Sequence, residues 1–119
     1  MSRKILALGI LALLGLSSAC RSPHVEISVE NRTGAEVRLL EVDYPSASFG
    51  ADALAAGATM HYKVQLQDKG PIKVQYMTPD HKHPQTTGPE IFEGQYGELD
   101  IVLLPGGKAE FHPELHGGK

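Results

Sequence analysis

Two histidines separated by one residue are the clearest candidates for chemistry in this sequence. They lie in the stretch PDHKHP, which contains Asp80, His81, Lys82 and His83. In an extended segment, side chains two residues apart point the same way, so His81 and His83 could present two imidazoles to zinc or copper, with Asp80 or His61 as a third ligand. The alternative is an exposed hairpin turn. We favour the turn, because two ligands make a weak site and Lys82 repels a cation.

No other arrangement of residue types indicates catalysis. The acidic residues fall at outward positions of predicted strands, where solvated carboxylates are usual, and no pair of them is predicted to converge on a pocket. The sequence contains neither a nucleophile elbow nor a glycine-rich loop of the kind that holds phosphate. We therefore expect a protein that is not an enzyme and that has no cofactor.

The single cysteine, Cys20, follows an apolar N-terminal segment. Arg3 and Lys4 give that segment a positive start, residues 5–16 are apolar apart from two glycines, and residues 17–19 are small. The apolar run is shorter than the roughly 20 residues that a membrane-spanning helix requires. Positive start, short apolar run and small residues together predict a signal peptide over residues 1–19, which is removed from the mature chain.

At Cys20 the segment resembles the lipobox of bacterial lipoproteins, in which a leucine-rich run ends in small residues and then cysteine. The family most often has leucine three residues before the cysteine, whereas this chain has Ser17 there and Leu16 one place earlier. The resemblance implies that Cys20 becomes the mature N-terminus and carries a diacylglycerol thioether and an N-linked acyl chain such as palmitate. The alternative is an ordinary signal peptide followed by a free thiol, which an oxidising exterior disfavours.

The same resemblance implies a location. Multiple acyl chains hold a protein on a bilayer, whereas one chain binds only reversibly. Arg21 occupies the position at which aspartate commonly marks retention in the inner membrane of bacteria with two membranes. We therefore expect the outer membrane, facing the periplasm. Residues 20–24 form the lipidated cysteine and a short tether, so the domain should lie close to the lipid headgroups.

The mature chain has room for one domain. Loss of residues 1–19 leaves 100 residues, and because Arg3 and Lys4 leave with them, the net charge changes from −3 to −5 with histidine neutral. A chain of this size supports a single hydrophobic core. Its acidic balance argues against nucleic acid or anionic lipid as a partner, since both bind basic surfaces.

Alternating apolar residues predict strands throughout the mature chain. The segments HVEISVEN, MHYKVQLQ and PIKVQYM alternate with period two, and GELDIVLLP is apolar on both faces, which indicates a central strand. The inward phase shifts at Leu39 and Leu40, which predicts a β-bulge. Phe49 and Leu54 are predicted to reach the core from a turn-rich stretch, and residues 78–89 to form a loop.

About seven short strands and no helical period indicate an all-β fold over residues 25–105, followed by a flexible tail over 106–119. The architecture resembles the immunoglobulin-like β-sandwich, without its disulfide or core tryptophan. The ending Gly94, Gly97, Leu99, Ile101 and Leu103 is similar to that of small β-sandwich lipoproteins of bacterial envelopes, a resemblance that implies no activity. We expect a non-enzymatic module that binds an envelope protein or stabilises an assembly. The alternative is a metal-binding lipoprotein that uses His81 and His83.

Replacement of Cys20 tests the anchor. Cys20→Ser should give an unprocessed or mislocalised precursor without acyl chains, because no other residue of the chain has a thiol. Metabolic labelling with a radioactive fatty acid measures the modification. Label that persists in Cys20→Ser would contradict lipidation at this residue.

Overall fold

A computed structural model describes residues Ser22 to Gly118, and the predictions for residues 1–21, including lipidation of Cys20, lie outside the described residues. The described part has eight strands and no helix, which confirms the all-β prediction. The strands are β1 (Val25–Asn31), β2 (Val37–Tyr44), β3 (Ala47–Leu54), β4 (Thr59–Val64), β5 (Gly70–Met77), β6 (Gln85–Ile91), β7 (Gln95–Leu104) and β8 (Lys108–Gly117).

The strands form two four-stranded sheets, as expected for a β-sandwich. Sheet A has the order β4-β1-β7-β8 and sheet B the order β3-β2-β5-β6. All neighbouring strands are antiparallel except β1 and β7, which run parallel. β7 lies between β1 and β8, which confirms its predicted central position and explains why both of its faces are apolar.

The core consists of the inward side chains of both sheets. The pattern of alternate buried residues in β1, β5 and β7 follows the predicted period of two. Phe49 and Leu54 are buried, as predicted, although their segment is strand β3 and not a turn-rich connection. The buried apolar residues are Val25, Ile27, Val29, Val37, Leu40, Val42, Phe49, Leu54, Val64, Leu66, Ile72, Val74, Tyr76, Ile91, Leu99, Ile101 and Leu103.

The predicted bulge in β2 is present. Leu39 adopts a positive φ of 49°, and the pairing of β2 with β5 shifts register between Arg38 and Glu41. The bulge turns the side chain of Leu39 outward, where it is 60% exposed, and returns Leu40 to the core. On the neighbouring strand, a Cβ at Gly50 would collide with the Leu40 carbonyl oxygen. The bulge therefore requires glycine at position 50.

The predicted flexible tail is wrong. Residues 106–119 contain β8, which pairs with β7 from Leu104↔Lys108 to Gln95↔Gly117. Ala109, Phe111 and Leu115 pack against the core in alternation with exposed residues. The alternation typical of a strand is therefore present in this part of the sequence, but the flanking glycines and Pro113 made it look like a flexible segment. Proline is compatible with an edge strand, whose outward N–H groups have no partner to lose.

Two further local predictions differ from the structure. The segment predicted as a loop over 78–89 ends in β6, which begins at Gln85. In the alternation of MHYKVQLQ, Tyr62 shares the inward phase of Val64, yet it is 48% exposed. β4 is an edge strand, so a side chain on its inner face reaches the open side of the sandwich and is only partly covered.

The side chain of Asn31 connects β1 to the loops around it. It is fully buried, and its Nδ2 donates to the carbonyl oxygens of Ala35 (2.8 Å), Leu54 (3.0 Å) and Ala55 (3.2 Å). Its Oδ1 accepts from the N–H (3.0 Å) and hydroxyl (2.7 Å) of Thr33. One amide thus holds the β1–β2 loop to the end of β3, which belongs to the other sheet.

Loss of this amide should destabilise the fold strongly. Asn31→Ala leaves buried carbonyl groups without donors, so we expect a loss of about 2–4 kcal/mol in the free energy of unfolding. Asn31→Asp should be no better, because a carboxylate would face the same carbonyl oxygens. Urea denaturation measures the change, with the exposed neighbour Arg32→Ala as the control, because loss of its surface pair with Glu30 should cost less than about 1 kcal/mol. An Asn31→Asp variant as stable as the original chain would contradict the role of the amide as a donor.

Candidate functional site

The predicted metal-binding stretch forms a tight turn between β5 and β6. Thr78 N–H donates to the Lys82 carbonyl (2.9 Å), and His81 N–H donates to the Thr78 carbonyl (2.9 Å). The Thr78 hydroxyl donates to Asp80 Oδ1 (2.5 Å) and accepts from Lys82 N–H (3.0 Å). The hydrogen bond from Thr78 lowers the pKa of Asp80, which also pairs with Lys82 at 3.7 Å. Asp80 therefore has a structural role within the turn.

The turn does not have the extended backbone that the metal hypothesis assumed. His81 has a positive φ of 62°, which breaks the alternation that would have aligned its side chain with that of His83. His61 is not nearby: it lies on the outer face of sheet A, with its Nδ1 3.6 Å from Glu26 Oε1. Among residues Ser22–Gly118, no group of three or more His, Cys, Asp or Glu side chains could hold a metal ion.

A groove separates this turn from the β7–β8 turn. It has a volume of about 520 Å³, and the residues that line it include Lys82, His83 and Pro84 on one side and Gly106 and Gly107 on the other. The two turns approach closely, because a Cβ at Gly107 would lie 3.2 Å from the Cβ of Pro84. The groove combines the glycine backbone of the β7–β8 turn, the basic side chain of Lys82 and the apolar ring of Pro84. Such a surface is better suited to binding a peptide or protein segment than to catalysing a reaction.

The outer face of sheet A carries a polar row that sequence reasoning did not find. Cross-strand register places His61, Ser28, Asp100 and His112 side by side on β4, β1, β7 and β8. Their adjacency depends on strand order and on the parallel pairing of β1 with β7. The alternation in a single sequence fixes neither the strand order nor the register between strands.

The contacts within this row do not form a nucleophilic set. Ser28 Oγ donates to Asp100 Oδ1 at 2.6 Å, so the serine hydroxyl is bonded to an acid and not to an imidazole. His61 approaches Glu26, and His112 Nε2 lies 3.3 Å from Glu110 Oε1. A serine nucleophile needs a base that accepts its proton, oriented by a third group. Here His61 contacts Glu26 and His112 contacts Glu110, and neither histidine makes a hydrogen bond to Ser28.

A pair of carboxylates lies on the outer face of sheet B. Glu41 and Asp43 are two residues apart on β2, and Gln75 Nε2 donates to Glu41 Oε2 at 3.3 Å. A hydrogen bond with Asp43 and repulsion by its charge raise the pKa of Glu41. Glu41 borders two open grooves, one on each side of the exposed Leu39. The bulge at Leu39 therefore places one apolar side chain and one perturbed acid at the same surface.

Comparisons with known proteins give no further assignment. The sequence matches no protein-family model, and neither a curated protein nor a solved structure matches this chain. The part of the chain from Ser22 to Gly118 has no helix with the length and hydropathy needed to cross a bilayer.

The pair of acids predicts that one substitution will raise the thermal stability of the protein by an amount that depends on pH. Because the pKa of Glu41 is raised in the folded state, the folded chain binds this proton more tightly than the unfolded chain, and stability falls as pH rises through the titration of Glu41. Glu41→Gln mimics the protonated acid and still accepts from Gln75, so it should raise Tm at pH 7.

The gain should shrink as the pH is lowered through the titration range of Glu41, because the original side chain then becomes protonated as well. Thermal unfolding followed by circular dichroism measures it. Glu93→Gln, which removes the same charge from the exposed β6–β7 turn, serves as the matched control. A Glu41→Gln gain that does not depend on pH would show that repulsion within the pair is not its cause.

Proposed function

We propose that this protein is a lipid-anchored envelope lipoprotein whose β-sandwich is a non-enzymatic interaction module at the membrane surface. The anchor is the acylated Cys20, and the membrane is the outer membrane on its periplasmic side. The N-terminal sequence supports the anchor, since residues 17–19 and Cys20 follow a short apolar run. The partner is an envelope protein that lies in the membrane or is docked on its surface.

The observation that carries the proposal is where the sheet begins. The Gly97 N–H donates to the His24 carbonyl at 3.2 Å, so the chain is already attached to sheet A at His24. Only Arg21, Ser22 and Pro23 separate that residue from Cys20. A segment of this length spans roughly 15 Å when extended. Acyl chains on Cys20 would thus hold one particular end of the sandwich against the headgroups.

That end, which we call the tether end, comprises His24, the connections 45–46, 65–69 and 92–94, and the end of β8. Register places it there, because Val25 pairs with Val64 and with Gly97, and Gln95 pairs with Gly117. The opposite end, the distal end, comprises the connections 32–36, 55–58, 78–84 and 105–107. In the anchored protein the distal end points away from the bilayer.

The distal end has the properties of a binding surface for a protein segment. It holds the groove between the β5–β6 and β7–β8 turns, and the hydrogen bonds of Thr78 keep the first turn in one conformation. A turn that is already ordered loses little entropy when it binds. The exposed Leu39 lies in the distal half of β2 and adds apolar surface beside it.

Contacts at the polar clusters favour this function over catalysis or metal transport. The hydroxyl of Ser28 is bonded to Asp100, and Asp80 is bonded within its own turn. Neither arrangement leaves a nucleophile beside a base or a set of converging ligands among the described residues. No contact of His81 or His83 favours the metal-binding alternative.

Photo-crosslinking from the distal end tests the proposal in cells. Benzoylphenylalanine at position 82 should form an adduct with one envelope protein when the chain is acylated. The adduct should fall several-fold when residues 1–20 are replaced by an ordinary cleavable signal peptide, because the anchor sets the local concentration of the module near its partner. Gel mobility and mass spectrometry of the adduct measure both outcomes.

The matched control carries the photo-reactive residue at position 98, an exposed site on the outer face of sheet A, and should give no such adduct. An adduct that persists undiminished in the secreted, unacylated chain would contradict a function at the membrane surface. It would point instead to a freely diffusing ligand.

A further inference from the structure

Aromatic side chains are concentrated in one half of the sandwich. The chain has seven, and five of them lie in the half next to the tether end: Tyr44, Phe49, Tyr62, Phe92 and Tyr96. The connections of the distal end contain none. Tyr76 and Phe111 are the other two, and both pack against the core from the distal half. The two ends of the domain therefore offer different chemistry to their surroundings.

The β6–β7 turn and the start of β7 place two of these rings, Phe92 and Tyr96, at the tether end. Phe92 N–H donates to Gln95 Oε1 at 2.8 Å, and Gln95 N–H donates to the Phe92 carbonyl at 3.2 Å, so the turn is internally bonded. The ammonium of Lys69 lies 5.2 Å from the centre of the Phe92 ring. Tyr96 is 50% exposed and packs beside His116, with ring centres 5.7 Å apart.

A second aromatic group lies along the open side between edge strands β3 and β4. Tyr62 stacks on Phe49 with ring centres 4.5 Å apart and planes 7° from parallel, and Phe49 in turn contacts Tyr44 at 6.2 Å. Tyr62 remains 48% exposed. Burial raises the pKa of Tyr44, and the neighbouring Tyr62 adds to the shift. Stacking fixes the position of Tyr62 while half of it faces solvent.

We propose that the tether end is a membrane-contact surface that rests in the headgroup region of a phospholipid bilayer through Phe92, Tyr96 and Tyr62. The inference rests on the lipid anchor proposed above, because the chain before Ser22 leaves the domain at this end. Tyrosine rings are amphipathic and accumulate at membrane interfaces, with the ring against lipid and the hydroxyl in water.

Charge at this end disfavours an anionic bilayer surface. Lys63 pairs with Glu26, and Glu26, Glu98 and Glu114 lie side by side on neighbouring strands, so the surface has no basic cluster for anionic lipid. Lys69 covers one face of Phe92 and can extend its ammonium to a phosphate. Contact is therefore expected with zwitterionic lipid, and the acyl chains on Cys20 supply the attachment.

Fluorescence quenching by spin-labelled lipid tests the inference on the full acylated chain. Because acylation consumes the only native thiol, a cysteine introduced at Glu93 in the tether end or at Lys82 in the distal end can be labelled alone. Vesicles of the zwitterionic lipids phosphatidylethanolamine and phosphatidylcholine contain a small fraction of lipid with a nitroxide on its headgroup. A flexible segment of about 20 residues inserted after Ser22 removes the constraint of the short tether, since such a segment spans tens of ångströms.

In this extended-tether chain the label at 93 should be quenched about threefold more than the label at 82, because the aromatic side chains still bind the membrane–water interface. Phe92→Ser and Tyr96→Ser, tested separately and checked by circular dichroism, should each bring the two signals toward equality. Leu39→Ser removes an equally exposed apolar side chain from the distal half and is the matched control, with no change expected.

The contrary outcomes separate this inference from the anchor. Equal quenching at 93 and 82, in a chain that sediments with vesicles and carries acyl label, would overturn the membrane-contact surface and leave the lipoprotein proposal intact. A chain without acyl label would overturn both. A label at 93 that is shielded from iodide yet not quenched by lipid nitroxide would identify a protein as the occupant of this surface, and would overturn the assignment to lipid.

Discussion

The buried amide of Asn31 is the interaction on which the arrangement of the two sheets depends most directly. A chain with one cysteine and no tryptophan lacks both the disulfide and the large ring that often join the layers of a β-sandwich. Asn31 is the only buried polar side chain among residues 22–118, and all of its donors and acceptors are used. Its backbone adds bonds from Gly57 N–H and to the Ala58 carbonyl. One residue thus orders two of the four connections of the distal end, 32–36 and 55–58.

The sequence predicted the parts of the fold that depend on alternation within one strand. It did not predict the parts that depend on which strands lie next to one another. Alternation located β1, β4, β5 and β7, and a one-residue change of phase located the bulge at Leu39. β8 was missed because its inward residues are small or partly exposed and Pro113 interrupts them, although an edge position accommodates a proline. Tyr62 has the phase of a core residue, and only the edge position of its strand leaves it half exposed.

The candidate sites differ in the same way, since one lies in a single stretch of sequence and the other is assembled from four strands. The stretch around His81 was visible in the sequence, but its chemistry depended on backbone conformation, and one residue at positive φ removed the alignment of the two imidazoles. The row formed by His61, Ser28, Asp100 and His112 depends on four strands from distant parts of the chain. The adjacency of its members requires the parallel pairing of β1 with β7, which the alternation within each strand does not indicate. Lipidation of Cys20 stays a prediction from sequence.

Strand direction links the N-terminal sequence to the two surfaces. Since β1 starts at the tether end and β7 runs parallel to it, the β6–β7 turn with Phe92 necessarily lies beside the tether, and the β7–β8 turn lies at the other end with the β5–β6 turn. A parallel pair thus separates aromatic surface from the polar, hydrogen-bonded loops along the long axis of the strands. If Cys20 is acylated as proposed, this separation becomes orientation: the same pairing that completes sheet A would direct the aromatic end toward lipid and the distal groove away from it. Had β1 paired antiparallel with β7, the chain would leave the domain beside the distal turns, and the groove would face the bilayer.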